Sequence, residues 1–337
     1  MSADPTASTY HIAPAELLPR RGGKAGLVLA LVSAASFSTA GSFARSLTDA
    51  GWSPGAAVAA RVGAAVVLLT LPAVLAMRGR WRALQRNAAT LVLYGLLAVV
   101  GGQVFFFHAI EHLSVGVALL IEYLGTVLVV GWMWLRHGHR PRRLTAIGSL
   151  LAVLGLVFVI DLFGDAHVDM VGVAWALGGA IGLAVYFVLS AGVDDDIPPI
   201  AFACAGMTVG AVVLVGLGGL GVLPMRATFG TVEFAGRSAS WLVPVAGVSL
   251  LAAAVAYVAG IGAARRLGAK LAAFIGLTEV LFAVVVAWAL LGQLPTSVQL
   301  VGGALILAGI ALVRADELRA PPEVAARDSV TARSRTR

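Results

Sequence analysis

The sequence predicts an all-α integral membrane protein: ten transmembrane helices arranged as two inverted five-helix repeats. Three observations lead there. The 337-residue chain is 59% hydrophobic and only 12% charged, which leaves more apolar surface than a soluble fold of this size can bury. The apolar residues fall into ten runs of roughly 20, the length that crosses a bilayer as one helix. Residues 112–159 also lie over 266–313 with no gap, at an offset of 154, with Trp134/Trp288, Pro141/Pro295, Gly148/Gly302 and Gly155/Gly309 among the identities.

The elements follow in order. Residues 1–24 are polar, with Asp4, Pro5 and Glu16. They do not form a signal peptide and are expected to be a disordered cytoplasmic tail. The first span, 25–45, carries Ser33, Ser36, Ser38, Thr39 and Ser42, whose hydroxyls are expected to bond back to their own helix. The second, 54–77, opens on Pro54, a favoured first helical residue, and contains Arg61. The third, 89–110, holds Gln103 and the run Phe105, Phe106, Phe107. The fourth, 114–135, contains Glu122 and Tyr123. The fifth, 144–162, has Gly148 and Gly155, seven apart on one face; the sixth, 171–192, has Gly178-x-x-x-Gly182. Such small residues let helices approach closely in lipid. The seventh, 198–222, holds Cys204, the only cysteine, so there is no disulfide framework. The joint 223–238, with Pro224, Gly230 and Gly236, is expected on the surface. The eighth span is 239–262. The ninth, 269–291, contains Glu279, and the tenth, 296–313, repeats the glycine pair as Gly302 and Gly309. The tail 314–337 is polar and expected to be disordered. The shorter joints 78–87, 136–143, 193–199 and 264–270 are rich in Arg, Gly, Pro or Asp, as helix ends should be.

Charge sets the expected orientation. Of 24 Lys and Arg, twenty fall on one side if the amino terminus is cytoplasmic, and three on the other: Arg45, Arg226 and Arg237. Cytoplasmic loops carry such an excess, so both termini are expected inside the cell membrane. Asp194, Asp195 and Asp196 fall inside without a cation, and acids count little in this rule. The net charge of +7 therefore reads as topology and does not imply nucleic acid. Five spans per half is an odd number, so 25–162 and 171–313 enter the membrane from opposite sides. Inverted repeats characterise secondary transporters, whose sites lie near the midplane between the repeats.

Ionisable residues inside a span are functional candidates by default. At ~1.5 Å per residue, Arg61, Gln103 and Glu122 each lie ~10–12 Å below the outer surface, in one layer. Glu279 falls near the midplane of its own span. Glu122 and the repeat equivalent of Glu279, Gly125, are three residues apart and share a helix face. The candidate substrate- or proton-binding set is Arg61, Gln103, Glu122, Tyr123 and Glu279. An arginine can hold a carboxylate and a glutamate an ammonium group, which suits a zwitterion. Burial favours the neutral form of a carboxyl, so a glutamate here could also carry a proton. A structural Arg61–Glu122 ion pair is the alternative. Tyr94, Tyr186 and Tyr257 lie toward the inner side and, with Trp52, Trp81, Trp134 and Trp241, are expected in the aromatic belts.

Soluble chemistry finds little support. There is no phosphate loop and no nucleophile at a recognisable spacing from a base. His137-Gly-His139 lacks further ligands, and Asp161, Asp165, His167 and Asp169 read as a solvated outer loop. No metal, cofactor or catalytic residue is expected.

The run LLGQLPTSVQLVGGALILAGIALV (290–313) and its counterpart resemble the repeat of the drug/metabolite transporter superfamily, EamA type, over about 25–313. Gln293 stands where that family usually has glutamate, and Glu279-Val280 where it often has Glu-Pro. The stretch VALLIEYLGTVLV (117–129) is similar to threonine/homoserine-type amino-acid exporters, which usually carry Gly-Pro in place of Gly125-Thr126. The resemblance implies a secondary transporter that exports a small polar metabolite, amino-acid-like or a drug, by alternating access with proton coupling. Its partners are then substrate, protons and the bilayer, with homo-oligomers left open. An intramembrane enzyme acting on lipid-linked substrates and a membrane scaffold are the alternatives.

Overall fold

The computed structural model describes residues 23–113, 115–137, 142–159, 169–234, 236–291 and 296–319. They form an all-α membrane bundle. Nine helices among them are long and apolar enough to span a bilayer: Gly23–Asp49, Pro54–Ala76, Ala88–Ala109, Ala118–Arg136, Met170–Gly192, Pro199–Gly219, Leu242–Leu267, Ala269–Val286 and Ser297–Asp316. A tenth apolar helix, Arg143–Val159, has 17 residues and ends where the description stops. At ~1.5 Å per residue it covers about 25 Å. His139, the acidic loop 161–168 and residues 1–22 and 320–337 fall outside the described residues, whereas 314–318, expected in the disordered tail, continue the last helix, where buried Asp316 accepts from Thr145 Oγ1 at 2.6 Å.

The two halves meet along the fifth and tenth spans, and the glycine pairs explain how. A Cβ on Gly148 would lie 2.8 Å from the Gly309 carbonyl oxygen, and one on Gly309 would lie 2.6 Å from that of Gly148. Gly155 and Gly302 meet in the same way, at 2.6 Å each. As the number rises along one helix it falls along the other, so the helices run antiparallel. The repeat offset sends the contact 148–309 onto 302–155. One two-fold relation exchanges the contacts, as inverted halves require.

Two further features recur in both halves, the first at the same offset and the second one residue short of it. The third span widens to a π-helical stretch at Tyr94–Gly101, and the eighth at Leu250–Val255. The second stretch falls on positions 96–101 of the first. Such turns are rare and often mark functional sites. The fourth and ninth spans are each broken once. Val115–Tyr123 gives way to Gly125–His137, and Ala269–Gly276 to Thr278–Leu291. No proline breaks them. The chain tightens instead: the Leu124 N–H donates to Ile121 O at 3.1 Å and the Leu277 N–H to Phe274 O at 3.2 Å. A threonine follows each break and satisfies a freed carbonyl: Thr126 donates to Tyr123 O at 2.8 Å and Thr278 to Ile275 O at 2.7 Å.

The first span also breaks, at Ser38 and Thr39. Both hydroxyls donate to carbonyls three residues back, at 2.7 Å each, as expected of back-bonding. Ser33 departs from that expectation. It crosses to the eighth span and donates to Ala256 O at 2.8 Å.

The joint 223–238 holds more structure than its composition predicts. Thr231–Phe234 pairs antiparallel with Arg237–Ser240, turning at Gly236, whose φ is 71°. This hairpin packs over the ends of the first and second spans. Phe234 stacks on Phe43, with ring centroids 5.0 Å apart. Trp52 lies under Phe229 and Trp241, at 6.0 and 5.8 Å, and its Nε1–H donates to Thr228 O at 2.8 Å. Trp52 is 5% exposed, so it belongs to this cap, not to a belt facing lipid. Trp81 and Trp134 are exposed, as belt residues should be. Trp52→Ala removes the ring and the hydrogen bond together. It should weaken docking of the cap by ~3 kcal/mol and speed proteolysis within 220–240, while the helical circular dichroism stays unchanged.

Candidate functional site

The second span starts at Ser53, whose hydroxyl caps Ala56 N at 3.3 Å, and Pro54. One face of this helix is lined by Ala57, Val58, Val62 and Ala65, all buried. Arg61 lies on the same face and is 6% exposed. Its Nη1 donates to Gln103 Oε1 at 2.6 Å, and its Nη2 donates to the Ala252 carbonyl. Gln103 comes from the third span, just past its π-helical stretch. Ala252 lies inside the π-helical stretch of the eighth. The widened turn thus offers a main-chain acceptor to a buried cation, and Tyr257 lies close to both Arg61 and Gln103.

The two carboxyls approach from opposite halves. Glu122 sits in the last turn before the break in the fourth span, and Glu279 in the first turn after the break in the ninth. The free N–H groups at a helix start favour negative charge, and the carbonyls at a helix end oppose it. The two acids therefore meet opposite local fields. Glu122 and Glu279 lie within electrostatic reach of each other and of Arg61. Tyr123 is a close neighbour of Glu279. Both acids lie deep among the helices yet are only half-buried, which leaves accessible space beside them.

The repeat explains why one acid serves each half. The counterpart of Glu122 is Gly276, and that of Glu279 is Gly125. A Cβ on Gly125 would lie 2.6 Å from the Ala180 carbonyl oxygen, so the fourth span rests on the backbone of the sixth and leaves no room for a side chain. Gly179 passes the stem of Glu122 at ordinary contact distance, 3.5 Å for a Cβ placed there. Shared symmetry positions the site, and a local clash makes its chemistry asymmetric.

Arg61, Gln103, Glu122, Tyr123 and Glu279 thus come together from four spans. The expected alternative of a direct Arg61–Glu122 ion pair is absent among the described residues, whose ion pairs join other groups. Arg61 bonds two neutral acceptors, and its charge is balanced at longer range. Such an arrangement can hold a carboxylate at the cation and an ammonium group at the acids.

The tyrosines differ from expectation. Tyr94, Tyr186 and Tyr257 are 0%, 5% and 4% exposed and form an interior column, not a belt. Tyr257 meets Tyr186 at 5.4 Å, and Tyr186 meets Tyr94 at 6.1 Å. The signal for burial was present but weak: all three lie in glycine- and alanine-rich helices, where close neighbours cover a ring. On the other side, Asp169 caps the sixth span by accepting from Val171 N at 2.8 Å and bonds His112 at 2.9 Å. These contacts hold its carboxyl below the usual range, the Val171 N–H most of all. Its role is structural capping.

Comparison with known proteins identifies the family. The model of the EamA-like transporter family matches residues 24–161 and 170–315. The threonine/homoserine exporter RhtA of Escherichia coli K12 is 29% identical over 197 residues, 58% of this chain and 62% of that protein. The chain thus spans about three fifths of the length of these curated relatives. The pseudopaline exporter CntI of Pseudomonas aeruginosa is 36% identical over 74 residues, 20% of this chain and 26% of that one. A solved crystal structure superimposes with a TM-score of 0.69 at 17% identity, covering 88% of this chain and 99% of its own; this likeness concerns the fold alone. Two matched repeats, halves related by inversion, and a buried polar layer between them place the chain in the EamA-like transporter family.

Proposed function

We propose that this protein exports a small zwitterionic metabolite, of amino-acid type, from the cytoplasm by alternating access coupled to protons. The observation that carries the reading is the charged layer. A buried arginine bonded only to neutral groups faces two glutamates from opposite repeats. The substrate carboxylate docks on Arg61 while its ammonium group docks on Glu122 and Glu279. Glu122 exchanges a proton for that ammonium group, so one carboxyl serves both ligands in turn. Rocking of the halves about the glycine seam presents the layer to each side alternately, as inverted-repeat transporters do around a fixed site. The arginine-rich face is cytoplasmic, because twenty of the 24 Lys and Arg lie there, and the hairpin cap faces outward. The names of the curated exporters support an amino-acid-like substrate.

Glu122→Gln tests the mechanism. The substitution keeps the shape of the side chain and removes its charge and exchangeable proton. In proteoliposomes, with L-threonine and L-homoserine as probes, uptake driven by a proton gradient should fall at least ~100-fold, the scale of losing a charged contact of about 3 kcal/mol. Folded yield should stay normal. Wild-type rates in E122Q would reject the exchange, and wild-type protein that moves neither probe would reject the substrate class.

A further inference from the structure

We propose that Arg265 forms a second carboxylate-binding subsite on the arginine-rich face, through the side-on edge of its guanidinium. The proposal rests on the exporter reading and names where substrate is first held.

Arg265 lies in the last turn of the eighth span. Its Nη1 donates to the Ile197 carbonyl at 2.5 Å, and its guanidinium carbon lies 6.0 Å from the Phe202 ring centre. One nitrogen and one face are thereby held. The other two nitrogens, Nε and Nη2, are buried and have no hydrogen-bond partner among the described residues. Their N–H bonds point the same way, and this is the edge that receives both oxygens of a carboxylate. Leaving charged donors unmade inside a protein is costly, and a ligand that completes them removes that cost.

A second observation points to the same place. The Tyr94 hydroxyl and Ser190 Oγ lie beside each other, buried and with no further hydrogen-bond partner among the described residues. The Tyr94 ring packs on Phe202 at 4.6 Å, so tyrosine and arginine share that ring. Asp194 and Asp195 are within electrostatic reach of Arg265 but form no ion pair with it; Asp194 is drawn to Arg86 at 3.5 Å. The protein's own acids therefore leave this edge open.

The subsite lies on the same span as the main-chain acceptor of the central layer. Arg265 follows Ala252, the acceptor of Arg61, by thirteen residues, or ~20 Å along the helix. Between them runs the tyrosine column, from Tyr257 through Tyr186 to Tyr94.

The test uses the full chain in lipid nanodiscs, with threonine and homoserine against their amides, which keep the ammonium group and lose the carboxylate. Thermal unfolding is compared among wild type, Arg61→Gln, Arg265→Gln and Arg265→Lys. Each amino acid should raise the unfolding temperature in both the wild type and R61Q, and the amides should not. Introduced into R61Q, R265Q should abolish the part that survives there, and R265K, which keeps charge without the fork, should retain little of it. In proteoliposomes R265K should raise KM for threonine from the arginine-rich side about tenfold, with kcat nearly unchanged. An amino-acid shift that vanishes in R61Q and persists in R265Q overturns the subsite while leaving the exporter reading intact. An equal KM in wild type and R265K also overturns it.

Discussion

Arg61→Met should abolish transport while leaving a folded protein. Methionine fills much of the same volume but cannot hold a carboxylate, so binding in the central layer disappears. Transport of threonine in proteoliposomes should fall below about a hundredth of wild type, since charge-assisted pairs of this kind contribute up to ~3 kcal/mol. The cost to folding is separate. Gln103 Oε1 and the Ala252 carbonyl each lose a donor, and an unsatisfied buried acceptor costs ~1–3 kcal/mol. Loss of the isolated buried charge offsets part of this. Thermal unfolding should therefore move by only a few degrees, and Arg61→Lys adds a second comparison. Lysine keeps the charge but presents it as a point and not as a planar fork. It cannot bridge Gln103 and Ala252 in the same geometry. R61K with wild-type KM would show that a positive charge alone suffices and that the fork has no role.

Gly155→Leu should be the most damaging change outside the polar layer. The Gly302 carbonyl and the Ile306 nitrogen would lie 2.6 and 2.7 Å from the new Cβ, and neither backbone can yield without moving a helix. The tenth span must back away, which also opens the contact at Gly148 and Gly309. Overpacking a tight interface costs typically ~1–3 kcal/mol, and backbone contact on both sides puts this case at the upper end. Gly309→Leu should match it, because the two-fold relation makes the positions equivalent: its Cβ would lie 2.6 Å from the Gly148 carbonyl oxygen. By contrast, Gly131 meets nothing within 4 Å, so Gly131→Ala should leave thermal unfolding and transport unchanged. If G155L unfolds and transports like wild type, the glycine seam is not where the halves meet.

The broken spans show how the same pattern was only partly legible. Fourth and ninth spans are found by their apolar length, and Glu122 and Glu279 by their charge inside it. The breaks at Leu124 and Leu277 have no proline to announce them. They rest on tight turns capped by Thr126 and Thr278, and threonine within an apolar run also fits an unbroken helix. The hairpin at 231–240 has equally weak local signals, because it packs on Phe43 and Trp52, far from it in the chain. The tyrosines misled for a related reason. Their distance from the helix end suits an interface, and only the position of neighbouring helices turns them inward.

From composition, apolar run length and the offset of 154, the chain itself determined a ten-segment helical membrane fold with inverted halves. It also determined which polar side chains had to be buried, because hydrocarbon penalises each one and the helical rise sets its depth. Tertiary structure alone decided what those side chains touch. Arg61 bonds a backbone carbonyl in a widened turn, and every residue has a carbonyl, so no residue type marks that partner. Side-chain chemistry is written in the order of residues, whereas the direction each group faces depends on how one helix rolls against another.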